Sequence, residues 1–287
     1  HRGYIEQILT QSEYRDFTRL YRFSSMKQRK FLDLYFKHYE VEVIKKLLRH
    51  MLGGREGQTD LSMFQGFFEK HSELDLETLC RAKNFSEFTE ALEGTVYGKL
   101  LSQMQEKGQT GLFDCELKLD LFYFQLLWKL RNKLLSKTER KILDDCFGSR
   151  LDLLNIQWIC RARSFYRLSQ AEIYALLIPV HYRLRADKVK LLVEAEDDAK
   201  FFAVLRETPY GKQEELQTGQ MPDIQLLSNQ MLNRIYGRTG HRYPHSPAVL
   251  DSYLYRKELE MRKIVTALEG IRYGLPASEI MGLLAKQ

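Results

Sequence analysis

Apolar residues recur every three or four positions near the end of the chain, in the stretch YLYRKELEMRKIVTALEGIRYGLP (253–276). Met261, Ile264 and Leu268 follow this spacing, and charged residues occupy the other faces. Such a periodicity predicts an amphipathic α-helix. Gly274 can adopt the left-handed conformation that ends a helix, and Pro276 cannot continue one, so the helix is expected to stop there.

The same spacing of apolar residues predicts further long helices, over 39–54, 116–135, 150–169 and 221–238. No run of alternating β-branched residues bounded by turn residues is found in the sequence, so no strand is predicted. Glycine and proline instead mark loops, at 106–111 and 237–247. The predicted fold class is all-α.

Three of the predicted helices share a motif in which an acidic residue precedes an isoleucine by four positions. The pairs are Glu40 with Ile44, Asp152 with Ile156, and Glu260 with Ile264, and the isoleucines lie 112 and 108 residues apart. A second motif, Leu-x-x-Thr-x-Tyr-Gly-Lys, occurs at 92–99 and again 113 residues later at 205–212. Two independent motifs with nearly the same period predict a repeat of about 110 residues.

The order of the two motifs suggests where each repeat begins. Thr95 precedes Ile156 by 61 residues, and Thr208 precedes Ile264 by 56. At this spacing the equivalent threonine for Ile44 falls before residue 1, so the front half of the first repeat is expected to be missing. The predicted domains are a partial first helical repeat, a second and a third, at 1–55, 56–168 and 169–287.

The positive charge of the chain is concentrated near its start. Residues 1–55 hold 12 Lys and Arg against 6 Asp and Glu, while the remainder is balanced and the chain as a whole carries +6. A basic patch of this kind binds nucleic acid, anionic lipid or an acidic protein, or is simply a solvated helix face. No uncharged stretch approaches the ~20 apolar residues of a membrane helix, so no transmembrane segment is predicted. The first residues also lack the apolar core of a signal peptide, so export is not expected.

Motifs for chemistry are weak. A Walker A loop is absent from the sequence, so nucleotide binding is not predicted. The aspartate doublets at 144–145 and 197–198 lack the third aspartate of a DDxxD magnesium site, and each is expected to be a solvated helix end. His241 and His245 have the spacing of a helical metal pair, but Pro244 lies between them in a predicted loop. No catalytic, cofactor-binding or metal-binding residue is therefore predicted.

The repeated Tyr-Gly pairs, Tyr97–Gly98 and Tyr210–Gly211, are the candidate partner-binding residues. The competing interpretation is structural: each tyrosine packs over a helix end, and each glycine lets the chain turn. In either case the repeat predicts that the two pairs occupy equivalent positions in two domains.

The threefold motif, taken with TPYG (208–211) and IRYGLP (271–276), resembles the C subunit of the bacterial and archaeal V/A-type rotary ATPases, whose eukaryotic relative is the d subunit of the vacuolar enzyme. That family repeats an acidic residue, an Asn-Ile or Arg-x-Ile helix and a short basic stretch three times. The match is specific around Asn155–Ile156 and Arg262–Ile264, and looser around Ile44, where Val43 replaces the usual polar residue. The resemblance covers almost the whole chain.

This resemblance implies a funnel of three pseudo-equivalent helical domains around a central cavity, with the first domain incomplete. It implies a non-catalytic central-stalk component that couples the central shaft of the ATP-hydrolysing head to the membrane rotor ring during proton or sodium transport. The implied partners are rotor-ring proteolipid subunits and central-shaft subunits, with no nucleic acid and no cofactor. The implied place is the cytoplasmic face of the membrane, as a peripheral protein.

Three other classes are compatible with parts of the sequence. An all-α repeat scaffold or adaptor shares the fold class, although such scaffolds usually repeat every 34–47 residues or so. A helical enzyme requires convergent acids or a metal cluster. A nucleic-acid binder requires its positive charge to lie along one groove rather than in one incomplete repeat.

Overall fold

Every regular element in the described part of the chain is an α-helix, which confirms the all-α fold class. The computed structural model describes residues 2–53, 62–212, 216 and 223–286. Its helices are α1 (Arg2–Phe23), α2 (Met26–Leu52), α3 (Ser62–His71), α4 (Leu76–Arg81), α5 (Phe85–Glu90), α6 (Gly98–Glu106), α7 (Leu112–Leu134), α8 (Lys137–Ser164), α9 (Gln170–Leu176), α10 (Ala186–Val193), α11 (Asp198–Arg206), α12 (Ile224–Arg242), α13 (Ala248–Arg272) and α14 (Ala277–Ala285).

The helices assemble into two compact units. The first unit is Thr10–Leu134, and the second is Leu135–Gln287 together with His1–Leu9. In the first unit α2 packs along α7, and in the second α8 packs against α9, α10, α12 and α13. The three repeats with boundaries at 55 and 168 stay a prediction.

The core of the first unit is built largely from aromatic side chains on the antiparallel pair α1 and α2. Phe17 is fully buried, and its ring lies 6.0 Å from that of Phe36 and 5.1 Å from that of Tyr39. Ser25 begins α2 with a capping box that it forms with Gln28. Each large buried side chain contributes about 1.5–3 kcal/mol relative to an exposed one, so this aromatic layer holds the pair together.

In the second unit α8 is the central helix, with buried residues on several faces. Ser169 and Glu172 form a capping box at the start of α9, as their three-residue spacing in the sequence predicts. Gly274 has φ of +70° just beyond the end of α13, as its place in the sequence predicts.

The predicted loop at 237–247 is wrong in its first half, because α12 continues to Arg242. A Cβ atom at Gly240 would lie 2.9 Å from the Cβ of Ser252 on α13. The glycine therefore permits close packing of two helices rather than a turn. The two main motif helices also begin earlier than predicted, at Met26 and Lys137, because their capping serines lie well before the motif.

Candidate functional site

Tyr97 is buried in the first unit and bonds to the acidic residue of the first motif helix. Its hydroxyl donates a 2.7 Å hydrogen bond to Oε2 of Glu40 on α2. Ser72 donates to the other carboxylate oxygen at 2.7 Å, and Lys37 pairs with the carboxylate at 2.8 Å. Because a buried charge is costly unless paired and hydrogen-bonded, these three donors make the buried position of Glu40 tolerable.

The turn that carries Tyr97 is organised by Thr95. The Thr95 hydroxyl donates to the carbonyl of Leu92 at 2.7 Å and accepts from the backbone N–H groups of Tyr97 and Gly98, each at 3.2 Å. A Cβ atom at Gly98 would overlap the Leu92 carbonyl oxygen. Glycine is therefore required at this position by a close backbone approach.

Tyr210 repeats this arrangement in the second unit. Its hydroxyl donates a 2.7 Å hydrogen bond to Oδ2 of Asp152, the acidic residue of the second motif helix. The Thr208 hydroxyl donates to the Leu205 carbonyl at 2.7 Å and accepts from the Tyr210 N–H at 3.3 Å. A Cβ atom at Gly211 would overlap the backbone of Arg206, the last residue of α11. The prediction that the two Tyr-Gly pairs occupy equivalent positions is confirmed.

The two carboxylates differ in how they are stabilised. No described lysine pairs with Asp152, which accepts instead from the backbone N–H groups of Tyr182, Arg183 and Leu184, at 3.1, 2.7 and 2.8 Å. The loop that supplies these donors is pinned to α8 by Asn155, whose amide exchanges two 2.9 Å hydrogen bonds with the backbone of Ile178. The polar residue before the motif isoleucine is thus a structural anchor here.

Burial controls the ionisation of these groups. Burial raises the pKa of the Tyr97 hydroxyl well above its ordinary value, and the negative charge of Glu40 raises it further. The pKa of Tyr210 is raised for the same reasons, with Asp152 as the charge. Burial also raises the pKa of Asp152, although the hydrogen bonds from Tyr210 and the backbone oppose this. Both tyrosines therefore remain protonated donors at neutral pH.

The four candidate residues are buried, so their immediate role in the fold is to close the turn and bond to the motif helix. Exposed residues flank each pair: Val96 and Lys99 in the first unit, and Pro209 and Lys212 in the second. Partner binding through these turns stays a prediction.

The sequence interpretation missed the acidic partners of the two tyrosines. Glu40 precedes Tyr97 by 57 residues and Asp152 precedes Tyr210 by 58, and this near-constant separation is visible in the sequence. The hydrogen bonds pair each threonine motif with the motif helix before it, whereas the prediction paired it with the helix after it. The repeat boundaries, and with them the incomplete first repeat, stay a prediction.

The third copy of the acidic motif, on α13, is differently surrounded. Lys257 pairs with Glu260 three residues later at 3.2 Å, as Lys37 does with Glu40, but the Glu260 side chain is 59% exposed and that of Glu40 only 1%. Ile264 is 36% exposed, while Ile44 and Ile156 are buried. Among the described residues, nothing covers the third copy as the Tyr-Gly turns cover the first two.

The two aspartate doublets that were compared with a magnesium site occupy ordinary structural positions. Asp197 caps the start of α11, as expected of a helix-end doublet. The doublet at 144–145 lies inside α8 rather than at a helix end, and Asp145 accepts from Tyr182 and Arg183. In the part of the chain that the structure describes, no three His, Cys, Asp or Glu residues are grouped so as to hold a metal ion.

None of the described helices is both long enough and apolar enough to cross a membrane.

Comparison with known proteins identifies one family. The sequence pattern of the ATP synthase (C/AC39) subunit family matches residues 1–283. The chain is 27% identical over 258 residues to the C subunit of the A-type ATP synthase of Methanothermobacter thermautotrophicus, covering 87% of this chain and 66% of that protein. It is 27% identical over 217 residues to the corresponding C subunit of Pyrococcus abyssi, covering 74% of this chain and 57% of that protein. The chain thus spans less than two thirds of the length of these relatives.

Proposed function

Because the chain belongs to the ATP synthase (C/AC39) subunit family, we propose that it is a central-stalk subunit of a V/A-type ATPase or ATP synthase. In this proposal it joins the central shaft of the ATP-hydrolysing head to the membrane rotor ring and passes rotation between them as protons or sodium ions move. It has no chemistry of its own. It lies at the cytoplasmic face of the membrane, held there by the ring, and its three helical repeats surround a central cavity.

The observation that best supports this role is the repeated hydrogen bond between a tyrosine and a buried carboxylate. A subunit that transmits torque must resist deformation. In each unit this hydrogen bond links a turn to a long motif helix. Loss of a hydrogen bond to a charged group costs about 1.5–3 kcal/mol, which is large relative to the marginal stability of a domain.

We infer that the two Tyr-Gly pairs serve partners indirectly, by fixing the exposed residues beside them. Val96 and Lys99 combine an apolar and a cationic side chain on one rigid turn, and Pro209 and Lys212 do so on the other. Apolar anchors supply affinity at interfaces, and charges set orientation and the rate of association. In the assembly these turns contact the ring or the shaft.

The role is tested by assembling the rotary complex with and without this chain. We expect the complex that lacks it to hydrolyse ATP without moving ions, and the complete complex to couple the two. Co-elution of the chain with the detergent-solubilised ring, and separately with the isolated shaft, tests the partners directly. A folded chain that binds neither would instead favour an all-α scaffold or adaptor unrelated to ion pumping.

The proposed contact turn is tested by Val96→Asp with Lys99→Glu. These exposed substitutions are expected to weaken co-elution with one partner, because they remove an apolar contact and reverse a charge. Phe113→Asp, at an exposed position on α7 of the same unit, is the matched control and should leave co-elution unchanged. Equal losses in both variants would exclude the turn as a specific contact.

A further inference from the structure

The turn between α1 and α2 presents two large apolar side chains to solvent. Phe23 is 82% exposed and Met26 is 75% exposed. They lie within residues 19–30, which contain five Lys or Arg residues and no Asp or Glu. The excess positive charge at the start of the chain therefore reaches a peak at this turn. Residues 19–30 thus form a basic apex.

The basic apex is held rigid by its own hydrogen bonds. The Arg29 guanidinium donates to the backbone carbonyls of Tyr21 at 3.1 Å and Arg22 at 3.2 Å, which ties the start of α2 to the end of α1. The capping box of Ser25 with Gln28 satisfies the first backbone donors of α2. The apolar pair is thus directed outward by a well-bonded turn.

The charges of the basic apex have no acidic partner in the part of the chain that the structure describes. Arg19, Arg22, Lys27 and Lys30 are exposed, and none of them forms an ion pair with a described residue. The first turn of α2 contains no acidic residue, so the positive end of the helix dipole adds to the same field. Cations at a helix N-terminus are unfavourable by themselves, and an anion placed against them reverses the sign of that interaction.

We propose that the basic apex binds the surface of a membrane that contains anionic phospholipids. Phe23 and Met26 enter the boundary between headgroups and acyl chains, and the surrounding cations contact the phosphates. A lipid surface accommodates both features at once, because its apolar layer lies directly beneath its negative charge. Single-stranded nucleic acid requires a series of stacking aromatics along a groove, and the apex exposes one phenyl ring on a two-residue turn. The inference goes beyond the proposed function and does not depend on it.

The charge requirement is tested by sedimentation with vesicles of phosphatidylcholine alone or mixed equally with phosphatidylglycerol. We expect binding to the mixed vesicles only, weakening as salt is raised. Each cation near an anionic surface contributes about fivefold, so Lys27→Gln with Lys30→Gln should weaken binding by about tenfold or more. The matched control removes two exposed lysines of α7 in the same unit, by Lys129→Gln with Lys133→Gln, and should bind like the parent. Equal binding to both kinds of vesicle would overturn the proposal.

Insertion of the apolar pair is tested by a tryptophan at the apex. Phe23→Trp should add fluorescence that shifts to the blue when mixed vesicles are present, and Phe165→Trp, at a site 78% exposed outside the apex, should not. Both positions are exposed, and unchanged circular dichroism would show that the variants fold. Equal shifts at both sites, or none at position 23, would overturn the proposal. The proposal would also be overturned if the parent does not bind vesicles and the apex variants bind the rotor ring or shaft less tightly. The apex would then be a protein contact.

Discussion

Tyr210 lies 58 residues after Asp152, and its hydroxyl donates a 2.7 Å hydrogen bond to Oδ2 of that buried carboxylate. Tyr97 makes the same 2.7 Å bond to Glu40, from 57 residues away. Each bond ties the turn after a short helix to the middle of a long one. Since these pairs lie in separate units, the arrangement arises twice within one chain, and each copy can be tested independently.

Tyr210→Phe removes the hydroxyl while keeping the ring. We expect the free energy of unfolding to fall by about 1.5–3 kcal/mol, because a buried carboxylate loses a donor. Urea unfolding at neutral pH measures the change. Tyr273→Phe is the control, since this tyrosine is exposed beyond α13 and its substitution should change stability by less than about 0.5 kcal/mol. Equal changes in the free energy of unfolding would show that the hydrogen bond to Asp152 does not stabilise the fold.

Gly211→Ala tests the close backbone approach beside Tyr210. The added methyl group would overlap the backbone of Arg206, so we expect destabilisation of about 1–3 kcal/mol. In Gly282→Ala, on α14, the added Cβ has no atom of a described residue within 4 Å, and the change should stabilise by about 0.5–1 kcal/mol because alanine favours a helix. Thermal unfolding of the two variants should therefore move in opposite directions. A shift in the same direction would refute the steric argument.

The features that were predictable from sequence are local. The helical periodicity, the capping box at Ser169 and the left-handed Gly274 each depend on residues within a few positions of one another. The bond between Tyr97 and Glu40 depends on packing across 57 residues, and only the repetition of that separation in the second unit could have indicated it.

Glycine within the second unit shows the limit of local rules. A sequence rule interprets Gly240 as a turn residue, whereas the fold uses it to bring α12 against Ser252 of α13. Gly148 is similar, because a Cβ there would overlap the ring of Tyr182. Whether a glycine ends a helix or lies within a helix interface is decided by what packs against it, which a single sequence does not reveal.

Stability should depend on pH through Asp251, which is buried in α13. Burial raises the pKa of its carboxyl group to about 8, Arg150 opposes the shift, and Glu258 adds to it. The folded state therefore keeps this proton over a range in which the unfolded state, with a pKa near 4, has lost it. The unfolded state binds fewer protons there, so stability falls as the pH rises from about 4 to about 8, by up to about 1.4 kcal/mol per unit.

Asp251→Asn removes the titrating group and should flatten this dependence. Urea midpoints measured at several pH values between about 5 and 8 give the slope, which should be smaller in the variant than in the parent. Asp187→Asn, at an exposed position in the first turn of α10, is the control and should leave the slope unchanged. A parent and variant with equal slopes would show that Asp251 is ionised in the folded protein.

The motif isoleucines of the second and third copies should differ in their contribution to stability. Ile156→Ala removes a side chain buried in the second unit and should cost about 2–5 kcal/mol, through lost apolar contact and the cavity left behind. Ile264→Ala, at the corresponding position of the third copy, should cost less than about 1 kcal/mol, because this side chain is 36% exposed. Both residues belong to the second unit, so one urea titration per variant compares them directly. A cost at Ile264 as large as that at Ile156 would mean that the Ile264 side chain is covered in solution. Protection of the α13 amides from hydrogen exchange would then locate the contact.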